Sequence, residues 1–289
     1  MAVVRHTSER PDFLAIGHIT RDLLPDGSWR LGGAVTYAAL TAARLGLRPA
    51  IVTSGPPDVL AALDAVLPDI SLSIVPSVEA TTFENIYTVQ GRQQFLHGRA
   101  APLMLSAVPG TWRDAPIVLL GPVAQEIDAS IVGGFPNSLV AATPQGWLRQ
   151  WDADGVVTPS SLANAGMLLP HLRALILSPE DIGALADTVI GEWAQIVPLI
   201  AVTCSRDGAY AWENGARSDV FAGYPAHEVD PTGAGDVFAA AFLCELHETG
   251  DAARAIDFAN QVAACSVEAV GGEGIPTREM VAARWGVAD

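Results

Sequence analysis

The chain contains no lysine: all 16 of its basic residues are arginine. That absence excludes the Walker P-loop lysine, the ATP-binding lysine of protein kinases and any Schiff-base chemistry. Whatever positive side chain helps to hold a phosphate here is an arginine, which leaves more of that task to backbone amides. Cysteine is nearly as scarce. Cys204, Cys244 and Cys265 lie far apart with no C-x-x-C pair, so buried free thiols are expected rather than a disulfide framework or a thiolate metal site. The histidines at 6, 18, 97, 171, 227 and 247 have no ligand spacing, which argues against zinc. No apolar stretch reaches the roughly 18 residues of a membrane span. Residues 1–12 carry Arg5, Glu9 and Arg10 without an apolar stretch of the secretory kind. A cytoplasmic protein with no membrane partner is expected. A net charge of −16 argues against nucleic acid as a partner, because such binding rests on neutralising phosphates.

Half of the 289 residues are hydrophobic, with 27 glycines and 20 prolines, a composition that suits a folded globule with many tight connections. Short apolar runs at 13–17, 50–53, 117–120, 139–142, 174–177 and 199–202 read as buried strands. Helical stretches are expected at 33–45, 57–66, 125–132, 160–167, 179–190, 234–247 and 251–268. Strands separated by helices imply a mostly parallel sheet covered on both faces, an α/β protein. Pro25-Asp26-Gly27-Ser28 marks a turn between two short arms, so 19–31 reads as a hairpin, and a second falls within 78–99. Residues 209–212 and 218–222 read as an antiparallel edge pair. The expectation is a single domain, 1–289, with a small β lid from about 19–31 and 78–99. Exposed strand edges on that lid would allow a homodimer.

The most informative stretch is Asp230-Pro231-Thr232-Gly233-Ala234-Gly235-Asp236, followed by the apolar run 237–243. Small residues at 233–235 let backbone pass close to a ligand and tolerate a positive φ. The apolar run reads as a buried helix, whose first amides form a ready anion site. Asp236 would stand in its first turn, a carboxylate beside a phosphate-sized hole. A base next to an oxyanion cradle is what phosphoryl transfer to an alcohol requires.

This segment resembles the second signature, D-T-x-G-A-G-D, of the ribokinase-like (PfkB-type) carbohydrate kinases. The family's first signature is similar to Gly32-Gly33-Ala34-Val35-Thr36-Tyr37 through Leu45-Gly46, and its strand V-T-x-G-x-x-G to Val202–Gly208. The tail 264–276 resembles the segment that lies along the adenine. The resemblance implies the ribokinase-like fold and an ATP- and Mg2+-dependent kinase. In that scheme Asp236 is the catalytic base and the amides of Gly233, Ala234 and Gly235 hold the transferring phosphate. Asp22, Gly32, Gly33, Tyr37 and Arg92 are then expected at the acceptor, and Thr203, Ser205, Gly208, Thr232 and Asn260 at the nucleotide. A monovalent cation near the anion-hole loop belongs to the same scheme.

Departures from the pattern are informative. Tyr37 stands where family ribokinases place an asparagine. The Mg2+-organising N-x-x-E motif appears as Ser178-Pro179-Glu180-Asp181, so Asp181 is carried over, with Glu180 as the alternative. Ser205 replaces a glycine. The aromatic after the double glycine and the loop Gly121-Pro122-Val123-Ala124-Gln125-Glu126 resemble the branch that contains myo-inositol kinases. A myo-inositol-type polyol is therefore the lead acceptor, with a pentose, hexose or nucleoside as alternatives. A non-catalytic sugar- or nucleotide-binding protein on the same fold is the rival from another class.

Overall fold

The computed structural model describes residues 2–5, 9–68, 70–88 and 91–286, with the side chains of 87, 88, 91 and 92 outside that description. A ten-stranded sheet forms its centre. Seven adjacent strands of this sheet are parallel: Ser71–Pro76, Pro49–Gly55, Phe13–Ile16, Ile117–Leu120, Leu139–Ala142, Ala174–Leu177 and Leu199–Thr203. Antiparallel strands finish both edges, Val3–Arg5 on one side and Ala209–Glu213 with Ala216–Arg217 on the other. The inner strands are short unbroken apolar runs because both faces are covered. Alternation then sorts side chains between two cores. Phe13, Ala15, Ile117 and Leu119 point toward the helices Ala34–Arg44, Ala234–Thr249 and Ala252–Ser266. Leu14, Ile16, Val118 and Leu120 point toward Trp112, Ile131, Ile190 and Trp193.

A separate four-stranded sheet makes the lid. The hairpin of Thr20–Leu23 and Trp29–Gly32 is joined in parallel to Thr81–Thr88, which forms a second hairpin with Gly91–Gly98. Phe83 and Leu96 of the lid bury themselves against Ala34, Val123 and Ala124, with Trp151 and Val157 alongside. Those last two belong to a hairpin absent from the sequence expectation, Arg149–Trp151 with Val157–Pro159.

Other expectations change in detail. Residues 125–132 and 160–167 carry only a 3-10 helix, Ala129–Gly134, and the short helix Ala165–Leu168. The stretch 179–190 splits into Pro179–Ile182 and Ala186–Trp193, because Gly183 takes a φ of 85° and ends the first turn. The edge strand expected at 218–222 lies instead at Ala216–Arg217. Asn214-Gly215, both at positive φ, make a two-residue turn of the kind that returns the chain at once. Of the expected pairing there remain the bridge of Ala209 to Phe221 and a hydrogen bond from Ser218 N–H to Ala211 O. Of the three thiols, Cys244 is buried and Cys204 and Cys265 are half-buried, all unpaired.

Candidate active site

Open parallel sheets place ligands beyond the carboxyl ends of their strands, and a cleft of about 470 Å3 lies there. Thr143, Ser178 and Thr203 reach it from the ends of three strands, while Asp22, Phe83, Asn85 and Gln94 reach it from the lid. Its floor is the loop before helix Ala234–Thr249.

That loop is shaped by Gly233, which caps the helix at φ 79°. A Cβ there would also lie 2.5 Å from the ring of Tyr37. Only glycine meets both demands, so the aromatic face of Tyr37 sits directly under the loop. Ala234 N–H donates to Pro231 O at 3.2 Å and Asp236 N–H to Gly233 O at 3.0 Å. Among the described residues, the amides of Gly233 and Gly235 have no protein acceptor. Two of the three amides expected to form the anion cradle are therefore available to a ligand, and the third is spent on the turn.

Asp236 lines the cleft from the first turn of the helix. Burial, reinforced by the negative charges of Asp181 and Asp22 and opposed by Arg149, raises its pKa from 3.8 to about 7. Asp22 lines the same cleft, and its Oδ1 accepts from the Thr20 hydroxyl at 2.9 Å. Gly32 crosses so close that a Cβ on it would approach Asp22 Oδ2 to 2.3 Å. Gly33 takes φ 97°, and a Cβ on it would meet the His18 carbonyl oxygen at 2.5 Å. The double glycine thus serves two separate close approaches. Burial and the carboxylates of Asp22, Asp230 and Asp236, against Arg30, push the Tyr37 hydroxyl up to about 12.

Glu180 and Asp181 also line the cleft. The segment that carries them is a capping box: Ser178 N–H donates to Asp181 Oδ2 at 3.0 Å, and Ser178 Oγ accepts from Glu180 N–H at 3.2 Å. Gln145 donates to Asp181 Oδ1 at 3.0 Å. Each oxygen of Asp181 keeps a lone pair, and a carboxylate of that kind fits Mg2+, which keeps several waters and takes one or two protein carboxylates beside substrate phosphates. No cluster of three metal-ligating side chains occurs among the described residues.

The residues expected at the nucleotide divide. Thr203 and Thr232 line the cleft. Ser205, Gly208 and Asn260 do not. Gly208 presses on the backbone of residues 221–223, and Asn260 is buried and donates to the carbonyls of Phe221 and Ala222. Arg92 lies on the strand Gly91–Gly98, with its side chain outside the described residues.

Four groups escaped sequence reasoning or were left without a role. Arg149 lines the cleft with its guanidinium 5.6 Å from the Phe83 ring and Nη1 donating to Val123 O at 3.3 Å. Arg30 pairs with Asp230 and donates to Thr232 Oγ1 at 2.6 Å. It stands directly cross-strand from Asp22, so the hairpin register could have revealed it. Glu126 is buried and accepts amides from His18, Val123 and Ala124. It holds the 121–126 loop together and does not face the cleft. His18 is equally structural: burial lowers its pKa, and its ring contacts Thr81 Oγ1 and Ala101 O.

The architecture is the ribokinase-like α/β fold. Residues 173–278 match the pfkB family carbohydrate kinase description, a match that with the kinase relatives supports a phosphotransferase. It is 25% identical over 250 residues to the cytidine kinase of Thermococcus kodakarensis, covering 80% of this chain and 87% of that one. It is 34% identical over 140 residues to the inositol 3-kinase of Zea mays, a match of 48% of this chain that spans 35% of the relative. A solved pyrophosphate-dependent kinase of the ribokinase family, complexed with a pyrophosphate analog and myo-inositol, superimposes with a TM-score of 0.79. It covers 94% of this chain and 99% of that one at 19% identity, a likeness of fold.

Proposed function

We propose that the chain is a Mg2+-dependent kinase that transfers the γ-phosphoryl group of ATP to a hydroxyl of a small polyol, with a myo-inositol-type cyclitol as the lead acceptor. The observation that carries this reading is the placement of Asp236, with its pKa near 7, beside the unspent amides of Gly233 and Gly235 in the cleft that Asp22 also lines. A base poised near neutrality removes the acceptor proton as its oxygen attacks. The amides and the positive end of the helix stabilise charge on the equatorial phosphoryl oxygens. Asp22 accepts hydrogen bonds from neighbouring hydroxyls, and Arg149, Asn85 and Gln94 supply donors. Mg2+, bound with the phosphates through Asp181 and Glu180, would neutralise part of their charge. Lid closure excludes water and so suppresses hydrolysis of the donor.

The acceptor reading is supported by Tyr37 after the double glycine and by the likeness to an inositol 3-kinase. The likeness to a cytidine kinase keeps a nucleoside acceptor as the alternative. A second reading of the donor is favoured by a specific observation. Gly208 and Asn260 are spent on the backbone around residues 221–223 rather than on the cleft, which suits a donor without a base, such as pyrophosphate. One panel separates these readings: phosphorylated product measured with Mg-ATP and with Mg-pyrophosphate across myo-inositol, ribose, fructose and cytidine. Product from ATP and myo-inositol is the expected outcome. Product from cytidine alone, or from pyrophosphate alone, would replace the acceptor or the donor respectively.

A further inference from the structure

Asp230 begins the anion-hole loop and is buried to 9% exposure. Both of its oxygens accept hydrogen bonds. Oδ1 accepts the Thr232 amide at 3.0 Å, and Oδ2 accepts the Gly271 amide at 3.2 Å and Arg30 Nη1 at 2.9 Å. The second nitrogen of the same guanidinium donates to the Thr232 hydroxyl. Arg30 therefore clamps two residues of the loop at once, from a lid strand 200 positions away in sequence. Its side chain is about one third exposed, against 11% for Asp230. Burying a lone carboxylate is costly, and a cation beside it offsets that cost.

A kinase of this fold was expected to hold a monovalent cation near this loop. The residues present do not fit one. Oδ2 already takes two donors, its full complement, and an added cation at that carboxylate would meet the guanidinium as a like charge. The Thr232 hydroxyl oxygen is engaged by the same arginine.

We propose that Arg30 is a tethered counter-ion that takes the place of a monovalent cation at Asp230, so that the anion-hole loop is ordered without potassium. The proposal rests on the kinase reading for its meaning in catalysis, but not for its structural content. It has a consequence that a free ion would not share. Arg30 stands opposite Asp22 in the lid hairpin, so the charge that orders the phosphate loop moves with the strand that meets the acceptor.

The test uses the full chain as wild type, Arg30→Ala and Arg30→Lys. Each is melted without ligands in potassium chloride and in tetramethylammonium chloride at one ionic strength, about 0.1 M, so that general screening is equal. Specific binding to the folded state alone raises Tm. The wild type and Arg30→Lys are expected to melt within about 1 °C in the two salts. Arg30→Ala, which opens room for an ion, is expected to melt lower in tetramethylammonium and to regain about 2 °C or more in potassium. A potassium-specific rise in the wild type would overturn the proposal, and that arm decides it even if Arg30→Ala fails to fold. The same salts are then compared in initial rates with whichever donor and acceptor the panel identifies. A potassium activation below about twofold in the wild type and about tenfold or more in Arg30→Ala is expected. Absence of turnover with every pair would count against the kinase reading while leaving the melting comparison to judge Arg30.

Discussion

Asp230 and Asp236 stand at the two ends of one short loop, yet the fold treats them in opposite ways. Burial would raise the pKa of Asp230, but hydrogen bonds from Thr232 and Gly271 and the charge of Arg30 outweigh it and hold the group below its ordinary 3.8. Asp236 receives no such compensation. Burial dominates, Asp181 and Asp22 add negative charge, and Arg149 opposes them only in part, so the value rises to about 7. One carboxylate is satisfied and builds the loop; the other is left wanting a proton and faces the cleft. The difference teaches that a motif with two aspartates need not hold two equivalent acids. Their roles follow from which one the surrounding chain supplies with donors.

The largest effect that would sharpen this contrast is expected at Asp236. Asp236→Asn should lower kcat by roughly 10²- to 10⁴-fold, the span of a general base, as measured by product formation with the identified substrates. Turnover like the wild type would remove Asp236 from the chemistry. Gly233→Ala comes next. It forces a side chain into φ 79° and against the Tyr37 ring, and should cost about 10²-fold in rate by displacing the amides, together with about 1–3 kcal/mol of stability. An unchanged denaturation midpoint would show that loop and ring separate freely. A smaller and more selective effect is expected for Gly32→Ala, whose methyl group would displace Asp22. The KM for the acceptor should rise about tenfold while the KM for the donor stays within about twofold, since the change removes binding at one end of the cleft only. Equal changes in both would place Asp22 elsewhere in the reaction.

The smallest effects concern stability, and their signs differ. Because the folded-state pKa of Asp236 is raised, the folded protein holds a proton that the unfolded chain has released between about pH 3.8 and 7. Its contribution therefore weakens as pH rises through that window and is least favourable above it. Asp236→Asn should raise Tm by a few degrees at pH 8 and by little at pH 4. Asp230 behaves conversely: its depressed pKa gives stability that is present above 3.8 and lost as pH falls through the folded value. Asp230→Asn should lower Tm at pH 7. A melting series across these pH values checks both signs, and two variants that shift in the same direction would break the comparison.

The fold was readable where composition and topology agree. Buried parallel strands such as Phe13–Ile16 and Ile117–Leu120 are short unbroken apolar runs, and the turn at Pro25–Ser28 announces its hairpin. The loop at 230–236 was readable because glycine, small residues and an apolar helix leave few other structures. Elements that depend on partners far away in sequence were not. The hairpin of Arg149–Trp151 with Val157–Pro159 is ordered by docking on Leu96 and Phe95 of the lid, a contact no local pattern encodes. Asn260 reads as a polar residue awaiting a ligand, but its amide satisfies the carbonyls of a neighbouring loop. Arg30 lay within reach, since the hairpin register places it beside Asp22. Its pairing with Asp230 is a tertiary event that only the folded chain displays.

The opposition between the two aspartates is most directly measured by carbon NMR titration of the side-chain carboxyls in aspartate-labelled protein, with Asp236→Asn and Asp230→Asn as assignment controls. The predicted result is one resonance that titrates near pH 7 and disappears in Asp236→Asn, and another that titrates below 3.8 and disappears in Asp230→Asn. Both resonances titrating together in the ordinary carboxylate range would contradict the account.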